Sequence, residues 1–159
     1  MKRTITTLII ASVSTCALAD SDWRLSGKDQ SGDSIILFDK NSIQSSKSNG
    51  TEVWYRVVYQ SPQSKYGIDF QQVYAHGRND CKSNEIIVDA VIFRDANGNT
   101  VAADNSKASA RFDSDRTPIG QIVAFACNRI PLSGSEMTLS DQSAVESIVK
   151  YFMKSETKN

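Results

Sequence analysis

The side chains in this chain that could act in catalysis or hold a metal are few. There are three cysteines and one histidine, His76. A hydrolytic triad needs a base, usually histidine, beside a nucleophile and an orienting acid, and catalytic zinc needs three protein ligands. No glycine-rich phosphate loop or nucleotide fingerprint is present. We therefore predict no catalytic residue, no metal and no cofactor, and interpret His76 as a surface or partly buried polar residue.

Acidic side chains are the other candidates for chemistry. Glu52, Glu85 and Asp89 could supply the carboxylate pair of a glycoside hydrolase, but nothing in their spacing marks two of them as a pair. Residues 95–99 resemble the start of a calcium loop, yet the glycine and glutamate that an EF-hand needs at its sixth and twelfth positions are missing. We interpret these residues as strand acids on a solvated face and a hairpin turn.

The N-terminal residues predict export. Lys2 and Arg3 are basic, residues 4–18 are uncharged, and Ala17-Leu18-Ala19 forms an A-x-A cleavage sequence. This order is typical of a secretory signal over residues 1–19, and its apolar core is too short for a bilayer of about 30 Å. Cleavage before Cys16 is the alternative and would leave a lipid-anchored protein. The expected location is the periplasm or the outer-membrane surface.

The two cysteines beyond this signal, Cys81 and Cys127, are expected to form a disulfide. Exported chains favour disulfides, and two cysteines allow one pairing. The bridge would close a loop of about 46 residues and contribute about 4 kcal/mol in the chain-entropy model. A metal pair and a reactive thiol are the alternatives, and the spacing is too long for a local zinc knuckle.

A small cluster of aromatic and cationic residues lies beside Cys81 in the sequence. Its members are Tyr74, His76, Arg78 and Lys82. Tyrosine and arginine are common interface anchors, so the cluster is a candidate partner-binding surface; a solvated turn is the alternative. Edge strands are a second candidate, because their unpaired backbone groups can accept another strand.

Charge narrows the class of partner. The chain has 18 basic and 18 acidic residues, and removal of residues 1–19 takes away two basic residues and no acid, which leaves 16 against 18. Nucleic-acid binding needs a basic surface and is not expected. No later stretch is long and apolar enough to span a membrane.

The hydrophobic pattern predicts an α+β domain with about six antiparallel strands in a meander. The predicted strands are residues 23–27, 34–38, 52–60, 67–76, 85–93 and 100–104. Residues 61–66 and 77–80 are expected to be a loop and a turn, Asn97-Gly98 a hairpin turn, and residues 105–116 a loop.

Two amphipathic helices are predicted after the strands. The first is capped by Thr117, has Pro118 at its first position and ends at Cys127. The second covers residues 140–154, with its apolar stripe formed by Val145, Ile148, Val149 and Phe152. It could pack on the sheet or present its stripe to a partner. We expect one domain over residues 20–133 and a helical extension with a tail over 134–159.

Four motifs, in this order, are similar to the surface-adhesin protein E-like proteins of Gram-negative bacteria. They are Asp22-Trp23-Arg24-Leu25, Phe38-Asp39-Lys40-Asn41-Ser42-Ile43, Val53-Trp54-Tyr55-Arg56-Val57-Val58-Tyr59, and Asp80-Cys81 with the Pro118 helix that ends in Cys127. The order and spacing of the motifs over residues 23–127 carry the resemblance.

The resemblance implies an exported, non-enzymatic envelope protein with a small antiparallel sheet and a disulfide-tethered helix. It also implies adhesion to host matrix or serum proteins such as vitronectin or laminin, and a possible homodimer. The chain departs from the family after Cys127, where it adds a linker and the predicted helix over 140–154. The alternatives are a periplasmic structural or assembly module that binds another envelope protein through this helix, and a hydrolase that uses surface acids.

Overall fold

The computed structural model describes residues 21–45, 50–65, 67–83, 85–111 and 117–131, together with Ser147. The strands are β1 (Trp23–Lys28), β2 (Ser34–Asp39), β3 (Gln44–Ser45), β4 (Gly50–Lys65), β5 (Ile68–Asp80), β6 (Glu85–Arg94), β7 (Thr100–Asp104) and β8 (Ala108–Arg111). One turn of 3-10 helix covers Lys40–Ser42, and α1 covers Pro118–Ala126. The predicted signal and, apart from Ser147, the predicted helix over 140–154 lie outside the described residues.

The strands form one antiparallel sheet in the order β1-β2-β4-β5-β6-β7, which confirms the predicted meander. The predicted count of six was too low, because β3 pairs with the start of β4 and β8 pairs with the first half of β6. Residues 105–116 had been expected to be a loop throughout. The segment Ala108–Arg111 lacks β-branched residues, so its pairing with β6, and not its own propensity, makes it a strand.

The two central strands are longer than the sequence predicted. Residues 61–66 and 77–80 were expected to leave the sheet, but β4 continues to Lys65 and β5 to Asp80. Pro62 lies where the β4–β5 register shifts between Val58 and Gln63. Proline is tolerated at such a bulge, because the backbone hydrogen bond that it cannot donate is already interrupted there.

Gly77 allows β5 to continue beneath the ring of Tyr55. A Cβ atom at Gly77 would lie 2.6 Å from Tyr55 Cε2 and 3.0 Å from a methyl carbon of Ile86. The Tyr55 hydroxyl donates to Asn79 Oδ1 at 2.6 Å, and Asn79 Nδ2 donates to Thr51 Oγ1 at 3.1 Å. Burial raises the pKa of the Tyr55 phenol. This buried hydrogen-bonded chain joins β4 to β5.

The turn after β2 explains the Asp-x-x-Ser motif. Asp39 Oδ1 accepts hydrogen bonds from the backbone N–H groups of Asn41 and Asp22, each at 3.0 Å. Ser42 Oγ donates to the Asp39 carbonyl at 2.7 Å and accepts from the N–H of Trp54 at 2.9 Å. Two short polar side chains therefore fix the start of β1, the 3-10 turn and the first half of β4 together.

Alternating residues of the strands form two hydrophobic clusters on opposite faces of the sheet. The helix face contains Ile36, Phe38, Val53, Tyr55 and Ile86, packed with Ile122 and Val123 of α1. The aromatic face contains Trp23, Ile35, Leu37, Val58 and Tyr74, with Leu25, Trp54 and Ile92 beside them. The sheet thus has a core on both of its faces.

The first predicted helix and the disulfide are confirmed. The Thr117 side chain accepts a hydrogen bond from the N–H of Gly120 at 3.1 Å, and Pro118 occupies the first helical position. Ser26 Oγ on β1 donates to the Pro118 carbonyl at 2.6 Å. A disulfide joins Cys81, in the turn between β5 and β6, to Cys127, with Cα atoms 5.6 Å apart. Both ends of α1 are therefore attached to the sheet.

Candidate functional site

Two of the predicted site residues, His76 and Arg78, lie on β5 beside side chains of the neighbouring strands β4 and β6. These neighbouring side chains were not part of the cluster predicted from the sequence. We call the group of Glu52, Trp54, His76, Arg78 and Asp89 the His76 patch. Trp54 is paired with His76, and Glu52 with Arg78, across β4 and β5. The Trp54 and His76 rings lie 5.2 Å apart between centroids. The patch lies on the aromatic face, because Trp54 packs against that cluster.

A β-bulge brings Asp89 into this patch. His76 pairs with Ala90 of β6, while Gly77 pairs with Val88, so Asp89 is the extra residue of the bulged strand. Bulges commonly redirect a side chain. Here the carboxylate reaches two residues of β5: His76 Nδ1 donates to Asp89 Oδ1 at 2.7 Å, and Arg78 Nε lies 3.0 Å from Asp89 Oδ2.

Asp89 anchors the side chains of both His76 and Arg78. Partial burial by itself raises its pKa, but the hydrogen bond from His76 and the charges of His76 and Arg78 outweigh this and hold the pKa below its ordinary value. On the other side of the imidazole, Nε2 of His76 lies 4.0 Å from Glu52 Oε2. The imidazole thus lies between two carboxylates, while the Arg78 side chain remains 39% exposed.

The other two predicted site residues have different surroundings. Tyr74 is buried, and its ring lies 5.6 Å from the ring of Trp23, in an edge-to-face contact, and 5.0 Å from the guanidinium carbon of Arg56. Lys82 is exposed in the turn after β5, where its backbone N–H donates to Asp80 Oδ1 at 2.8 Å. Tyr74 therefore supports the aromatic face from within, while Lys82 lies on the adjoining surface.

The side chains that contact His76 determine what chemistry its imidazole can take part in. They are to Asp89, Glu52 and Trp54, and none of them is a serine, threonine or cysteine that an imidazole could activate. Within the part of the chain that the structure describes, no three potential metal ligands cluster. No helix among the same residues is long and apolar enough to cross a membrane. The patch offers an aromatic ring and a partly exposed guanidinium held in fixed positions.

A comparison with family models identifies the family. The model of the surface-adhesin protein E family matches residues 23–128, from the first residue of β1 to just beyond Cys127. The chain belongs to this family. Comparisons with curated proteins and with solved structures give no match. The matched region of the surface-adhesin protein E fold contains all the described strands, α1 and the disulfide.

Three members of the His76 patch were missed as site residues in the sequence. Glu52 and Asp89 had been considered as a hydrolytic pair, and Trp54 as part of a strand. The pairing of Trp54 with His76 depends on the register shift between Val58 and Gln63, because the β4–β5 register beyond that shift differs from the register next to the turn. The sequence pattern does not show this shift. The position of Asp89 depends on a bulge inside an apolar run, for which no local signal exists.

Proposed function

We propose that this member of the surface-adhesin protein E family is exported through residues 1–19 and binds another protein through the His76 patch, with Lys82 on the adjoining surface. It acts by binding and not by catalysis. Host matrix and serum proteins such as vitronectin and laminin are the proposed partners. Family membership supports the adhesive role, and the contacts of His76 and Arg78 support the choice of surface.

The observation that carries the proposal is the anchoring of His76 and Arg78 by the bulged Asp89. Arginine and aromatic side chains dominate binding energy at protein interfaces. Side chains already held in place lose less conformational entropy when a partner binds. Trp54 and Arg78 therefore present a preorganised pair of anchors on the first half of β4 and the second half of β5.

Binding of the purified protein to immobilised vitronectin and laminin tests this proposal, with biolayer interferometry as the readout. We expect Arg78→Glu to weaken binding about tenfold or more, because it removes an interface cation and places a carboxylate near Asp89. Lys65→Glu is the matched control, since it makes the same charge change at the far end of β4 and should leave binding unchanged.

Circular dichroism of both variants establishes that they are folded. Absence of saturable binding by the unaltered protein would overturn the choice of matrix partners. An equal loss in the Lys65→Glu variant would mean that net charge, and not the His76 patch, governs binding.

A further inference from the structure

Glu52 is the carboxylate of the His76 patch that the described residues leave without a permanent cation. It is paired with Arg78 across β4 and β5, but Arg78 Nε lies 3.0 Å from Oδ2 of the bulged Asp89. The described group that lies within ion-pair distance of Glu52 is His76, whose Nε2 is 4.0 Å from Glu52 Oε2. The Glu52 side chain is 35% exposed. The bulge in β6 therefore leaves an accessible carboxylate beside a histidine and not beside an arginine.

The hydrogen bond to Asp89 determines which nitrogen of the His76 imidazole carries the proton. The pKa of Asp89 is held below its ordinary value, so this carboxyl group is ionised at neutral pH and can only accept hydrogen bonds. Nδ1 of the neutral imidazole is therefore the N–H that donates to it at 2.7 Å, and Nε2 carries no proton. His76 Nε2 and Glu52 Oε2 are then two acceptors 4.0 Å apart, and no described residue donates a hydrogen bond to either atom.

An ammonium group fits between these two acceptors. A nitrogen about 2.8 Å from each acceptor can be placed between atoms that are 4.0 Å apart, and an ammonium carries three donors on one atom. A guanidinium is instead a planar fork that matches the two oxygens of a single carboxylate. The Trp54 side chain lies on the same face of the sheet, paired with His76 and two residues from Glu52, and indole rings attract cations.

We propose that the His76 patch binds a lysine side chain of the partner protein, whose ammonium donates to Glu52 Oε2 and His76 Nε2 beside the Trp54 ring. This inference rests on the proposed function and deepens it, because it names the group of the partner that the patch recognises. The apolar stem of a lysine can pack along an aromatic ring while its charged end reaches polar groups. Glu52, His76 and Trp54 therefore supply both the polar and the apolar contacts that a lysine needs.

Protonation of His76 opposes the binding of this lysine. Histidine is the side chain that changes its charge between pH 5 and pH 8. The charged side chains around its imidazole are Glu52 of β4, Arg78 of β5 and Asp89 of β6. A proton on Nε2 removes one acceptor of the ammonium and places a cation beside Glu52. The proton and the lysine of the partner therefore compete for the same site, and lysine binding should weaken as the pH falls.

The test uses N-acetyl-lysine methylamide as the probe, because it carries the ammonium without the rest of a partner. N-acetyl-norleucine methylamide is the matched compound, since it lacks only the amino group. The indole N–H signal of Trp54 in NMR spectra of the purified protein reports binding, and Trp54→Phe distinguishes it from that of Trp23. At pH 8 we expect a saturable shift with the lysine compound and none with the norleucine compound. Glu52→Gln should weaken lysine binding about tenfold, whereas Glu85→Gln, the same change at the start of β6, should leave it unchanged.

A second measurement follows the same signal from pH 8 to pH 5. Lysine binding by the unaltered protein should weaken about tenfold, and this dependence should disappear in His76→Gln, whose side chain does not titrate in that range. No saturable shift with the lysine compound, an equal shift with the norleucine compound, or tighter binding at pH 5 would overturn the proposal.

The comparison of the two compounds needs no variant, so it decides the matter even if Glu52→Gln unfolds. The probe is also independent of the matrix proteins. Failure of vitronectin and laminin to bind and failure of the lysine site are therefore separate results.

Discussion

At the scale of single residues, Gly77 leaves no room for a side chain beside the ring of Tyr55. We expect Gly77→Ala to lower the free energy of unfolding by about 1–3 kcal/mol, because the added methyl group would overlap the Tyr55 ring. Gly27→Ala is the comparison: its Cβ would lie 3.2 Å from the ring carbon Cγ of Pro118, and we expect a smaller loss. Urea denaturation measures both, and equal losses would show that the Tyr55 contact is not the cause.

Asp89 should make the stability depend on pH. Its pKa is lowered in the folded protein from an ordinary value of 3.8. The stabilisation is therefore complete above that value and is lost as the pH falls through the lower, folded value. We expect Asp89→Asn to lower the free energy of unfolding at pH 7 by about 1 kcal/mol.

The difference between Asp89→Asn and the unaltered protein should shrink as the pH falls below about 4. Urea denaturation between pH 7 and pH 2.5 measures it. Asp69→Asn, at an exposed position of β5, is the control for loss of a carboxylate and should change stability little. A difference that stays constant over the whole range would contradict the role given to the Asp89 carboxylate.

The sequence could identify some residues of the candidate site and could not identify the surroundings of others. His76 and Arg78 could be chosen because they belong to a cluster that contains tyrosine and arginine, which are common interface anchors. Tyr74 shares that composition, yet it is buried, since its partners Trp23 and Arg56 come from β1 and β4. The burial of Tyr74 depends on contacts with strands that are far apart in the sequence, and these contacts cannot be predicted from local composition.

At the scale of elements, the disulfide determines how firmly α1 is held. We expect the double substitution of Cys81 and Cys127 by alanine to lower the free energy of unfolding by about 4 kcal/mol in the chain-entropy model. Ser26 still binds the start of the helix, so the Cys127 end should loosen first. Amide hydrogen exchange should therefore rise most over residues 122–127.

Reductant provides the control for this prediction. It should destabilise the unaltered protein by a similar amount and have no effect on the double variant. An unchanged denaturation midpoint in reductant would contradict a stabilising role for the bridge.

Most elements of the fold were predictable, because helix capping at Thr117, the Asn97-Gly98 turn and the apolar strands are local signals. The sequence did not predict which residues of β6 point to which face of the sheet. Ile86 and Val88 pack on the helix face, whereas Ile92, also even-numbered, packs on the aromatic face. The bulge at Asp89 reverses the alternation within one strand. The sequence therefore shows a continuous apolar run with no period of two.

At the scale of the whole molecule, the mass of the exported protein tests its processing. We expect a chain that begins at Asp20 and is lighter by about 2 Da than the reduced form, because disulfide formation removes two hydrogens. Intact-mass spectrometry of envelope material measures this. A heavier, lipid-modified species that begins at Cys16 would contradict cleavage after Ala19.

Protease added to whole cells tests the location of the protein. Digestion of the protein would agree with a surface adhesin, and full protection would agree with a periplasmic module.

The edge strands of the sheet bear on aggregation. One edge is shared by β7 and β8, of five and four residues. The other is β1, whose ladder with β2 is interrupted between Leu25 and Gly27 and whose Ser26 is bonded to α1. Long, regular edges are templates for aggregation, and short or interrupted ones are not. The described edges therefore offer little continuous backbone to which a neighbouring molecule could add a strand.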